Sequence, residues 1–78
     1  MRDFEYQITD HLATLSGHGA YTKELNLVSY AGAPPVLDLR RWQEKPDGTK
    51  QINKGLTLTT DEAAALRDAL NNYLGGIA

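Results

Sequence analysis

The chain predicts an α+β domain in which four antiparallel strands are followed by one C-terminal helix. Three observations predict it: stretches of alternating polar and apolar residues between residues 4 and 59, glycine and proline clusters separating them, and one helical apolar stripe confined to the last 20 or so residues. At 78 residues without a cysteine, the chain is read as one domain, residues 1–78, with a thin core and no disulfide to brace it. A second copy is the natural remaining support, so a homodimer is expected.

"FEYQITDHLATLSG" alternates through Phe4, Tyr6 and Ile8, slips near Asp10 and resumes at Leu12 and Leu15. Such a slip predicts a bulge or bend in one long first strand. Gly17 to Gly19 turns the chain. "KELNLVSY" is the second strand, with Leu25 and Leu27 on one face and Glu24, Asn26, Val28 and Tyr30 on the other. "AGAPP" ends it, because Pro34 and Pro35 cannot donate ladder hydrogen bonds.

The third strand holds "LDLRRW", and Pro46-Asp47-Gly48 supplies the turn after it. "GLTLT" is a short fourth strand. Thr59 and Glu62 have capping-box spacing, and Asp61 places a negative charge at the positive end of the helix. Ala63, Leu66, Leu70, Tyr73 and Leu74 recur at helical spacing, and Gly75 and Gly76 are expected to stop the helix.

If the leucines of strands two to four face the helix, the opposite face is left open. It presents Asn26, Tyr30, Asp38, Arg40, Trp42 and Thr57. A nucleobase can stack on an exposed aromatic ring whatever its sequence context, so Tyr30 and Trp42 are candidate platforms. The pattern equally accommodates Trp42 curled into the core or laid over Arg40, and Tyr30 lodged beside its turn. Asp38 is expected to pair with Arg40 or with a basic residue of a neighbouring strand.

The net charge of −2 speaks against a wholesale polyanion binder. It is unevenly spread, however. Residues 22–55 carry Lys23, Arg40, Arg41, Lys45, Lys50 and Lys54 against Glu24, Asp38, Glu44 and Asp47, whereas the flanking thirds are both acidic. The middle third can therefore hold a local anion-binding strip, although each cation alone is ordinary surface charge.

Enzyme signatures are poor. His11 and His18 are too few and wrongly spaced for a metal site, and Ser16 and Ser29 lack a nucleophile-elbow context. No catalysis, cofactor, metal or small-molecule substrate is expected. No apolar run approaches the length needed to cross a bilayer and the first ten residues do not form a leader, which predicts a soluble, cytoplasmic protein with no membrane partner.

At "TKELNLVSY", "LDLRRW" and "PDGTKQINKGLTLTTDEAAAL" the sequence resembles the bacterial YdbC proteins and, with them, the transcriptional coactivator family called positive cofactor 4. The resemblance runs from about Phe4 to Leu74. It implies a curved four-stranded sheet and a dimer whose sheets form grooves for single-stranded DNA, basic residues tracking phosphates and aromatics stacking on bases. Matched residue by residue, Tyr30 falls near the family's turn aromatic, Arg40 on its strand-three arginine, Lys54 on the lysine before a glycine, and Trp42 on a strand-three aromatic. Lys23 lies in the part shared with the YdbC type.

Two departures stand out. Gln43 replaces a tryptophan found in the eukaryotic coactivators, and "AGAPP" replaces their lysine-rich turn. Their serine-rich regulatory tail is also missing, so coactivation is not carried over. The resulting expectation is single-stranded DNA binding through Lys23, Asn26, Tyr30, Arg40, Arg41, Trp42 and Lys54. A protein-interaction module built on the same dimer, or binding of single-stranded RNA, is the alternative.

Overall fold

A computed structural model describes residues 5–77. Phe4, assigned above to the first strand, lies outside them. The elements run β1 (Tyr6–His18), β2 (Tyr21–Tyr30), β3 (Val36–Glu44), β4 (Lys50–Leu58) and α1 (Thr60–Ile77). The strands form one antiparallel meander in the order β1-β2-β3-β4, so the predicted class and element order hold.

The slip near Asp10 is a bulge, one of three in β1, falling between Ile8 and Asp10, His11 and Ala13, and Thr14 and Ser16. Together they account for β1 needing 13 residues to pair with the 10 of β2. Each bulge bends its strand and increases its twist. The bent β1 brings the Tyr6 ring to 5.6 Å from that of Trp42 on β3, and its hydroxyl to 3.5 Å from the Lys50 carbonyl at the start of β4. The sheet thus curls, the start of β1 reaching over β3 to the start of β4.

That curvature reverses the expected roles of the two faces. The face without the helix is the interior: Val28 and Trp42 are buried there, together with Glu24, Asn26 and Asp38. The face that meets the helix is the wetter one. Leu25, Leu37 and Leu58 look across a cleft of about 370 Å³ at Leu66, Leu70 and Leu74 of α1, and Leu56, Leu66, Leu70 and Leu74 are all exposed.

The turns follow their local chemistry. Gly19, Gly32 and Gly48 have positive φ, the conformation that costs glycine least. In the β3–β4 hairpin the Asp47 carboxylate accepts from both the backbone N–H and the hydroxyl of Thr49. Those bonds hold the Asp47 carboxyl below the usual carboxylate range. The capping box forms as the spacing predicts: Thr59 N–H donates to Glu62 Oε1 (2.8 Å) and Glu62 N–H to Thr59 Oγ1 (3.1 Å).

Two boundaries differ from expectation. β4 begins at Lys50 rather than Gly55, because the tight hairpin lets pairing resume at Glu44–Lys50. The helix continues through Gly75 to Ile77, and Gly75 does not take the left-handed conformation of a cap. A glycine weakens a helix end without being obliged to terminate it.

Candidate nucleic-acid interface

The predicted site residues separate into two groups according to which side of the sheet they occupy. On the interior side, Trp42 is 1% exposed. Its indole therefore does not face outward, and it offers no free ring face to a base. The reason is the bend of β1, which lays Tyr6 against it. Among the described residues the indole Nε1 has no hydrogen-bond partner. Asn26, expected on an open surface, is also fully buried.

The buried carboxylates and amide of the interior are paired, which is what allows their burial. Asn26 Nδ2 donates to Glu24 Oε1 (3.2 Å), and its Oδ1 lies 2.6 Å from His11 Nδ1. The amide oxygen can only accept, so His11 Nδ1 donates to it, and Nε2 lies 3.0 Å from Thr14 Oγ1. Glu24 Oε2 accepts from Thr22 Oγ1 (2.5 Å) and Lys50 Nζ (3.0 Å). Burial alone pushes the Glu24 carboxyl up, but hydrogen bonds from Thr22, Lys50 and Asn26, with the Lys50 charge, outweigh it and hold the group below the usual range.

Arg40 and Tyr30 belong to a second interior cluster. Arg40 donates to both oxygens of buried Asp38, Nε to Oδ1 at 2.6 Å and Nη2 to Oδ2 at 2.7 Å, and Nη1 donates to the Asn53 carbonyl at 2.9 Å. The predicted Asp38–Arg40 pair is thus present. The bonds to Asp38 raise the Arg40 pKa further above its ordinary value. Tyr30 donates its hydroxyl to Asp38 Oδ2. Burial, and then the bond to this carboxylate, push its pKa up to about 12. The Arg40 guanidinium is therefore a clamp between β3 and β4, and the half-buried Tyr30 is tied to the same carboxylate.

Gly55 makes the clamp possible. It pairs with Arg40, and a Cβ added there would lie 1.9 Å from the Arg40 Cβ. Only a residue without a side chain lets β4 pass this close. The next pair along is Trp42–Ile52, so a bulge sets Asn53 and Lys54 together against Arg41.

The other group lies outside. Lys23, Arg41 and Lys54 are exposed. Lys23 pairs with Arg41 across β2 and β3, and alternation places both on the face of Leu25 and Leu39. With Lys54 beside Arg41, three cations from three strands form a line across the sheet. Among the described residues none of them makes an ion pair. Tyr21, two residues before Lys23 on the same face, holds the Arg41 guanidinium over its ring at 4.7 Å from the centroid. The sequence pattern starts this strand at Lys23 and leaves Tyr21 outside it; alternation carried two residues further back includes it.

Among the described residues no group of histidines and carboxylates could hold a metal ion, and no helix is long and apolar enough to cross a membrane. The chain is 44% identical over 71 residues to an uncharacterized protein of Treponema pallidum (strain Nichols), covering 90% of this chain and 80% of that one. Residues 20–69, which span β2, β3, β4 and the first half of the helix, match the family model described as Transcriptional Coactivator p15 (PC4). The match takes in both the Asp38–Arg40–Gly55 clamp and the external cation line, and the chain belongs to the PC4 family of transcriptional coactivators.

Proposed function

We propose that this chain is a homodimeric binder of single-stranded DNA with little sequence preference, of the YdbC-like type, acting at the nucleoid in the cytoplasm without a catalytic cycle. Membership in a transcriptional coactivator family supports a role in nucleic-acid transactions. The observation that carries the reading is the line of Lys23, Arg41 and Lys54, exposed and without ion pairs among the described residues. Three cations spaced across adjacent strands suit a flexible phosphate backbone that crosses the sheet.

The dimer rests on the other part of the same face. The exposed leucines of β4 and α1 form an apolar surface that a second copy would cover. The chain exposes 5912 Å², against roughly 4,700 Å² for a compact monomer of its mass. The excess is of the order that each partner of a stable complex buries, about 800 Å². These leucines also support a second reading, in which the helix face docks a different protein and the cations are solvated surface.

Titration of a labelled oligothymidine at several salt concentrations separates the two. Binding should weaken with salt, with a log–log slope of about −0.7 per phosphate contacted. A triple variant, Lys23→Ala, Arg41→Ala and Lys54→Ala, should bind more weakly and flatten that slope by about 2. No salt-dependent binding by the parent would favour the protein-docking reading.

A further inference from the structure

We infer that the base-stacking platform on this surface is Tyr21, with Arg41 as its movable cover. The inference rests on the single-strand reading above and names the residue that would contact bases. Trp42 is buried, Tyr6 is laid against it, and the Tyr30 hydroxyl is tied to Asp38. Tyr73 is exposed on the helix among Leu70 and Leu74, on the surface assigned to the second copy. Tyr21 is 37% exposed and stands on the cation-bearing face, two residues from Lys23 and opposite Gln43.

Its neighbours suit the task. Across the β1–β2 pairing it faces His18, and Lys23 faces Ser16, so no carboxylate is paired with either residue from β1 or β3. The residues paired with Tyr21 and Lys23 are therefore cationic or neutral, and Glu44 is the acidic residue nearby, its N–H bonded to the Ala20 carbonyl. The Arg41 guanidinium covers the ring from 4.7 Å. An exposed guanidinium on a ring is a weak contact, weaker than a base on the same ring. An incoming base therefore takes the ring face, and Arg41, freed from it, turns its charge to the adjoining phosphate, where a bidentate bond is available. One residue thereby protects the platform in the free protein and grips the strand in the complex.

The test compares an oligothymidine with an abasic deoxyribose-phosphate strand of equal length, which keeps the phosphates and lacks the bases. The parent should prefer the oligothymidine. Tyr21→Ala and Tyr21→Leu should each lose roughly 5- to 150-fold in oligothymidine affinity, the range one stacked base supplies. Both should bind the abasic strand at least as tightly as the parent, because Arg41 is already free of the ring, and Tyr21→Phe should match the parent throughout. If the leucine variant, melting like the parent, still preferred the oligothymidine to the same degree, the assignment of Tyr21 would be overturned while single-strand binding stood. If the parent bound neither strand, both would fall together.

Discussion

Arg40 and Arg41 are adjacent in sequence and sit on opposite sides of β3. Arg40 points into the curved sheet, where it clasps buried Asp38 with two hydrogen bonds and the Asn53 carbonyl with a third. Arg41 points out, pairs across the strand with Lys23 and rests on Tyr21. The contrast holds for the whole sheet. Its charged, helix-free face is dry because its carboxylates and amides find partners within it, whereas its leucine-rich face is wet because one loosely apposed helix does not cover it. Polarity therefore does not decide which side is buried; curvature and hydrogen-bond satisfaction do.

The largest effect should come from breaking the inner half of this comparison. Arg40→Ala leaves the Asp38 carboxylate buried without its counter-charge, which should cost about 3–5 kcal/mol of stability. Arg41→Ala should change stability by less than about 0.5 kcal/mol while weakening DNA binding. Chemical denaturation of both variants, beside oligothymidine titration, checks the pair. Equal loss of stability in the two would erase the distinction between the faces.

A smaller effect should appear in the dependence of stability on pH. The Glu24 pKa is lower in the folded chain than the ordinary 4.5, so its contribution is present above that value and is lost as pH falls through it toward the folded pKa. Tyr30 behaves oppositely. Its folded value of about 12 lies above the ordinary 10.0, so the stability it supplies is present below 10.0 and lost as pH rises toward 12. Melting curves across pH should fall on both flanks, with Glu24→Gln flattening the acid flank and Tyr30→Phe the alkaline one. Unchanged flanks in these variants would remove the interior network from the explanation.

Much of this was legible in the sequence. Period-two alternation gave the strands, Thr59 and Glu62 gave the helix start, and the slip at Asp10 marked a bulge. Alternation assigns residues to two faces, however, and does not say which is inside. The step of three from Leu12 to Leu15 breaks the alternation beside the two further bulges of β1, but a break in pattern does not reveal that the bend buries Trp42. Leucines at 25, 27, 37, 39, 56 and 58 looked like the interior because transfer energies favour burying them. Their lone helix meets them across a cleft instead. Tyr21 was missed for a simpler reason, since the strand was begun two residues late.

On the proposed reading, nucleic acid engages the outer, leucine-bearing face while Trp42 stays sealed on the inner one. Fluorescence of Trp42, the sole tryptophan, tests it directly. The emission should be blue-shifted and shielded from iodide, and saturation with oligothymidine, followed independently by anisotropy, should leave both properties unchanged. Quenching of the indole that rises in step with DNA binding would contradict it, because the strand would then be contacting the face described here as the core.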